Sequence, residues 1–167
     1  MSKGKARRGG CLPRKTLGST IRIMTEPEQV VICEETGMWA TAMRRLVTDL
    51  PLAVTETRSL ASCLDPKGSS EVVFLMVEVR RFMLDDLVPW SFDVRRRWGP
   101  LPWVAVAPRA MRRSEWFLRE AGATHVIFSL RQMCEVVHVL RRHLRVIGYR
   151  PKSRSEQAFD RQNSASR

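Results

Sequence analysis

Between residues 30 and 146, short apolar runs alternate with amphipathic patterns, and this alternation limits the possible folds more than any other feature. Five runs carry strand-type residues and are bounded by turn residues. They are residues 30–33, 52–55, 72–77, 103–106 and 126–128. The third run lacks polar alternation, which is typical of a strand buried on both faces of a parallel sheet. The order predicts an α/β protein with a five-stranded, mostly parallel sheet and helices on both faces.

Helical periodicity separates these runs. The clearest cases place apolar residues three or four positions apart, in two groups: Trp39, Met43, Leu46 and Leu50, and Met133, Val137, Leu140 and Leu144. Shorter helices are predicted at 58–64 and 114–121. The segment 79–101 is the least regular, because a helical pattern over 82–94 is interrupted by Pro89.

Most of the net charge of +12 lies at the two ends of the chain: residues 1–28 contribute +5 and residues 150–167 contribute +3. These ends are also rich in Gly, Ser, Gln and Asn, so we predict flexible basic tails at 1–27 and 149–167 around a domain at 28–148. Such tails can bind polyanions or can simply keep a protein soluble, and the composition leaves both interpretations open.

The sequence predicts a cytoplasmic protein with reduced thiols. No apolar run is long enough to cross a bilayer, and no apolar segment follows the basic start as in an export signal. The cysteines are scattered, and Cys33 and Cys134 fall within apolar patterns, where free cysteine packs as a small hydrophobe. Cys134 and His138 are four residues apart, but a core cysteine and a surface histidine explain them better than a zinc site.

Over about residues 28–147 the chain resembles the receiver domain of bacterial response regulators. The resemblance rests on three segments in order. Residues 102–106 are similar to the fourth strand of the family, residues 120–128 to its Gly-Ala turn and fifth strand, and the stretch from Ser129 through Leu140 to its last helix. The resemblance implies a three-layer, flavodoxin-like fold with a five-stranded parallel sheet.

The resemblance also implies a phosphorylation pocket in degenerate form. Receivers use two acidic residues to hold Mg²⁺, an aspartate acceptor, a hydroxyl residue and a lysine. Glu34 and Glu35 correspond to the acidic pair, Glu78 to the acceptor, Ala107 to the hydroxyl residue and Ser129 to the lysine. The loss of the hydroxyl and the lysine implies a pseudo-receiver that is not an enzyme and is not phosphorylated. We expect no cofactor and no metal ion, although three carboxylates could bind Mg²⁺ weakly or stay solvated.

The family usually binds partners, or a second copy of itself, through its fourth helix, fifth strand and fifth helix. On the matching segments this chain carries an arginine-rich set with one tryptophan: Arg112, Arg113, Trp116, Arg119, Arg131, Arg141 and Arg142. Arg and Trp are enriched at binding hot spots. The resemblance therefore implies another protein, or a second copy, as the partner on this face. Alternatively, Trp116 packs inward and the arginines form a solvated face.

Two other functions stay open. The basic tails and the arginine-rich face could bind nucleic-acid phosphates. A small enzyme or nucleotide-binding protein could instead use the crevice beside Glu34, Glu35 and Thr36, although the loop after them contains one glycine and matches no phosphate-binding motif.

Overall fold

The computed structural model describes residues 28–66 and 71–149. Its five strands are β1 (Gln29–Cys33), β2 (Ala53–Thr57), β3 (Val72–Glu78), β4 (Trp103–Val106) and β5 (His125–Ile127). Its α-helices are α1 (Met38–Leu46), α2 (Leu60–Leu64), α3 (Leu84–Trp98), α4 (Glu115–Glu120) and α5 (Met133–Val146). All strand pairs are parallel, in the order β2-β1-β3-β4-β5. The α/β, flavodoxin-like fold expected from the sequence is therefore confirmed.

The sheet lies between two helical layers, because successive side chains of a strand point to opposite faces. In β3, Leu75 and Val77 pack against the layer of α2, α3 and α4, whereas Phe74 and Met76 pack against α1 and α5. Both faces of the central strand are thus buried, which explains why its sequence run shows no polar alternation.

Helix α3 corrects the expectation that Pro89 breaks the pattern over 82–94. The helix runs without interruption from Leu84 to Trp98, and Pro89 lies inside it on the exposed side. Proline cannot donate to the carbonyl four residues earlier, here that of Asp85, and this residue is also exposed. The helix ends at Gly99, which has a φ of 71° and donates its N–H to the carbonyl of Arg95 at 2.9 Å.

Helix α5 corrects the expected burial of Cys134. The buried positions of this helix are Met133, Val136, Val137, Leu140 and Leu144. Cys134 lies to one side of this buried stripe and is exposed. Cys33 and Cys63 are the buried cysteines of the described residues.

The element boundaries differ from the sequence prediction at several places. β2 begins and ends later than expected, β5 ends before Phe128, and a 3₁₀ turn at Arg109–Ser114 precedes α4. The predicted basic tails at 1–27 and 149–167 lie outside the described residues, apart from Tyr149. Within the described ranges no helix has the length and apolar character needed to cross a membrane.

Candidate functional site

The acidic residues singled out from the sequence meet at the carboxyl edge of the sheet. Glu34 and Glu35 follow β1, and Glu78 is the last residue of the neighbouring strand β3. The backbone N–H of Glu35 donates to Oε2 of Glu78 at 3.1 Å. Residues that are 43 positions apart in sequence are thus joined directly, at the place where ligands bind in open α/β sheets.

Glu34 is only 3% exposed, and its carboxylate lies against the amino end of α1. Its two oxygens accept the backbone N–H groups of Trp39 at 2.8 Å and Ala40 at 2.6 Å. The first N–H groups of a helix have no partner within the helix, and the helix dipole favours a negative charge there. Gly37, which precedes the helix, has no side chain to cap it, so Glu34 takes that role.

This contact also bears on the nucleotide-binding alternative. A phosphate bound after the first strand would normally accept the N–H groups at the start of the following helix. In this chain two of those N–H groups are not available to a phosphate, because Glu34 already accepts them. The connection between β1 and α1 is also short, at residues 35–37.

Arg80 supplies a positive charge between the other two acids. Its Nη1 lies 2.6 Å from Oε1 of Glu35, and its Nη2 lies 4.0 Å from Oε2 of Glu78. Arg80 follows Glu78 by two residues in extended backbone, which directs both side chains to the same side. The short ion pair with Glu35 is therefore a local consequence of how β3 ends.

Arg58 adds a second positive charge at this edge. Its Nη1 donates to the backbone carbonyls of Glu34, at 3.1 Å, and of Glu35. Arg58 directly follows β2, and its guanidinium also approaches Glu56 at 4.0 Å. The side chain of Arg58 therefore binds the backbone of the loop after β1, and the side chain of Arg80 binds the side chain of Glu35 in the same loop.

These contacts do not fit the Mg²⁺ site that the receiver fold implies. Mg²⁺ needs free oxygen ligands in near-octahedral geometry. Both oxygens of Glu34 cap α1, and Arg80 binds the carboxylate of Glu35 and faces that of Glu78. Among residues 28–66 and 71–149, no group of three or more His, Cys, Asp or Glu side chains has an arrangement suited to a metal ion.

The two remaining residues of the predicted pocket follow β4 and β5. Ala107 is buried and has no polar side-chain atom, and its N–H donates to the carbonyl of Ile127 at 2.9 Å. Oγ of Ser129 accepts the N–H of Arg131 at 3.3 Å and so caps the short turn before α5. In the described part of the chain, neither residue forms a hydrogen bond with the carboxylates of Glu34, Glu35 and Glu78, which we call the carboxylate cluster.

A cavity of about 540 Å³ adjoins the carboxylate cluster. Its apolar wall includes Leu60, Leu64, Met83 and Trp90, and Cys33 lies where this wall meets the acids. Cys33 and Cys63 are both buried, and Sγ of Cys63 lies 3.0 Å from Oγ1 of Thr57. Interaction with the thiol of Cys63 lowers the pKa of Cys33, whereas interaction with Cys33 and burial raise the pKa of Cys63.

The arginine-rich face predicted from the sequence is solvent-accessible. Trp116 is 68% exposed, so the alternative in which it packs inward is wrong. Three arginines of this face have intramolecular partners: Arg112 lies over the ring of Phe128, Arg119 binds Glu115, and Arg141 binds Asp49. Arg113, Arg131 and Arg142 form no ion pair within the described residues, and all three are exposed.

The sequence matches no family model and no curated protein. Solved structures do match in fold. The non-phosphorylated HemR receiver domain of Leptospira biflexa has a TM-score of 0.51 at 15% identity, over 69% of this chain and 94% of that one. The receiver domain of a Pseudomonas aeruginosa sensor histidine kinase, with magnesium coordinated in its active-site cleft, has a TM-score of 0.55 at 14% identity, over 71% and 98%. An orphan response regulator of H. pylori has a TM-score of 0.53 at 12% identity, over 68% and 95%.

These likenesses show that the chain has the receiver fold. At 12–15% identity they show the fold alone and not the chemistry of the pocket. Sequence reasoning missed Arg58 and Arg80, the two residues that most change this chemistry. The available signal for Arg80 was its position two residues after the acceptor-equivalent Glu78, at the end of a strand.

Proposed function

We propose that this chain is a non-catalytic pseudo-receiver, which is not phosphorylated and acts by binding another protein. The observation that carries the proposal is the position of Arg80, whose guanidinium binds Glu35 and faces Glu78. An arginine is charged at every physiological pH, so its single positive charge permanently offsets part of the negative charge of Glu35 and Glu78.

The residues around Glu78 support the absence of phosphorylation. Phosphoryl transfer requires groups that stabilise the charge on the transferred phosphoryl oxygens, usually metal ions and basic side chains. Ala107 and Ser129 supply no cation at the positions where receivers have a hydroxyl residue and a lysine. Arg80 is already paired with Glu35, and an oxygen of Glu78 already accepts the N–H of Glu35. A module of this kind has one state at the pocket, and its regulation has to come from what it binds.

The arginine-rich face supports a protein partner with an acidic surface. Exposed Trp116 offers a large apolar anchor, and Arg113, Arg131 and Arg142 have no acidic partner in the described part of the chain. Trp and Arg are the residue types that most often dominate binding free energy at interfaces.

A capture experiment with the full chain tests this function. The tagged chain is incubated with nuclease-treated lysate, beside the variants W116A and F82A. Phe82 is a matched control, because it is an aromatic residue that is 73% exposed in the turn before α3, outside the fourth helix, fifth strand and fifth helix. We expect one protein to be retained by the wild type and by F82A. Its affinity for W116A should fall roughly thirty-fold, as loss of an anchor worth about 2 kcal/mol predicts.

Either of two results would contradict the proposal. One is recovery of nucleic acid in place of protein when nuclease is omitted, with nothing specific retained after nuclease treatment. The other is a captured protein whose affinity is the same for W116A and F82A.

A further inference from the structure

Helix α3 presents a second face to solvent, opposite its core face. Its core side consists of Leu87, Trp90 and Val94. Its outer side carries the exposed residues Asp85, Val88, Phe92 and Arg95, which we call the α3 outer stripe. Spacings of three and four residues align them along one side of the helix. Val88 is 37% exposed and Phe92 is 66% exposed, so the centre of the stripe is apolar.

The charges on α3 are divided between its two ends. Asp85 and Asp86 lie in the first turn, and Arg95, Arg96 and Arg97 lie in the last turn. Arg96 binds Asp93, and Arg97 binds Asp65. Among residues 28–66 and 71–149, the two charged members of the stripe, Asp85 and Arg95, have no ion-pair partner. The helix therefore exposes an unpaired negative charge at one end of an apolar centre and an unpaired positive charge at the other.

This arrangement is complementary to itself in one orientation. When two identical helices pack antiparallel about a twofold axis, each residue faces the one equally far on the other side of the axis. An axis at the level of residue 90 places Val88 opposite Phe92 of the second copy. The same axis places Asp85 opposite Arg95, so a single register satisfies the apolar and the charged pairs together. A parallel arrangement would instead bring like charges together.

A groove beside the stripe provides space for an inserted side chain. It lies between α3 and the end of α4, and its volume is about 390 Å³. Val88, Phe92 and Arg95 line one side, and Glu120 and Gly122 line the other. The groove therefore has room for the Phe92 ring of a second copy, which would be removed from water there.

We propose that two copies of this chain associate through antiparallel α3 helices, with the α3 outer stripes in contact. Each dimer contains two Val88–Phe92 contacts and two Asp85–Arg95 ion pairs related by the twofold axis. The apolar contacts supply the affinity, and the ion pairs set the orientation and the register.

Sedimentation velocity of the full chain tests the apolar contact. We expect a concentration-dependent dimer, a rise of roughly thirty-fold or more in the dimer dissociation constant for F92E, and no change for V146E. Both replacements are made at exposed apolar residues, and circular dichroism verifies that both variants are folded. A wild-type chain that stays monomeric into the high micromolar range would overturn the proposal. An F92E variant that dimerises as well as V146E would also overturn it.

A charge exchange tests the antiparallel register. In D85R alone or in R95D alone, both ion pairs become repulsive within a homodimer, so each variant should dimerise more weakly than the wild type. In an equimolar mixture of D85R and R95D, every facing pair again has opposite charges, so a heterodimer should form with an affinity near that of the wild type. If mixing restores no dimer, the proposed register is wrong.

Discussion

Replacement of Glu34 by alanine is expected to lower the free energy of unfolding by about 2–4 kcal/mol. The carboxylate is buried and accepts the N–H groups of Trp39 and Ala40 at the start of α1. Removal of a partner from a buried donor costs about 1–3 kcal/mol, and loss of a helix cap costs about 0.5–2 kcal/mol. E34Q should lose less, because its amide oxygen can still accept one of these N–H groups. Urea denaturation followed by circular dichroism measures the change.

The adjacent residue provides a matched control for this prediction. Glu35 has a side chain that is 56% exposed, and its ion pair with Arg80 is at the surface. E35A should therefore change the free energy of unfolding by no more than about 1 kcal/mol. If Glu34 were instead a free acid of a metal site, its removal would relieve repulsion among the carboxylates. A stabilised E34A, or one equal in stability to E35A, would then be found.

Replacement of Arg80 by alanine is expected to create a divalent cation site. Without this guanidinium, the carboxylates of Glu35 and Glu78 lose their positively charged neighbour, although Oε2 of Glu78 still accepts the N–H of Glu35. Carboxylate oxygens are the ligands that Mg²⁺ and Mn²⁺ prefer. The repulsion should lower the melting temperature of R80A in the presence of a chelator. Millimolar Mn²⁺ should restore it by roughly 3–5 °C, the shift expected from about 1 kcal/mol of ligand binding. The wild type should show no such shift.

Arg81 is the control for this experiment. It is exposed, and within the described residues its side chain makes no ion pair or hydrogen bond. R81A removes the same charge one residue later and should behave as the wild type does with Mn²⁺. Equal Mn²⁺ shifts in the wild type and R80A would show that Arg80 does not keep the cation away from Glu35 and Glu78. The absence of a shift in both proteins would show that Glu35 and Glu78 do not form a site without it.

The sheet was predictable from the sequence because burial on both faces leaves a direct mark on composition. The apolar run of β3 and the alternation of strands with helices define a parallel sheet and its two helical layers. Helix continuity through Pro89 was not predictable, because it depends on which side of α3 meets water. The exposure of Cys134 has the same cause, because it depends on which side of α5 meets water. Burial was expected because the residues next to Cys134 in sequence are apolar.

The sequence predicts which residues form the carboxylate cluster, but it does not predict which positive charges pair with them. The carboxyl ends of neighbouring parallel strands meet, so Glu35 and Glu78 had to lie close together. Which group neutralises them depends on side chains that reach in from adjacent backbone, as Arg80 does. The role of Glu34 as a helix cap likewise depends on the direction in which α1 leaves the loop.

Intact mass spectrometry after incubation with acetyl phosphate and Mg²⁺ shows whether the pocket takes up a phosphoryl group. The full chain is compared with a phosphorylatable receiver domain under the same conditions, and both are measured before an acyl phosphate can hydrolyse. A pocket in which Arg80 is paired with Glu35 and faces Glu78 predicts that the mass of this chain stays unchanged while that of the reference rises. A gain of one phosphoryl group that maps to Glu78 would show that the chain is a phosphorylated receiver and not a pseudo-receiver.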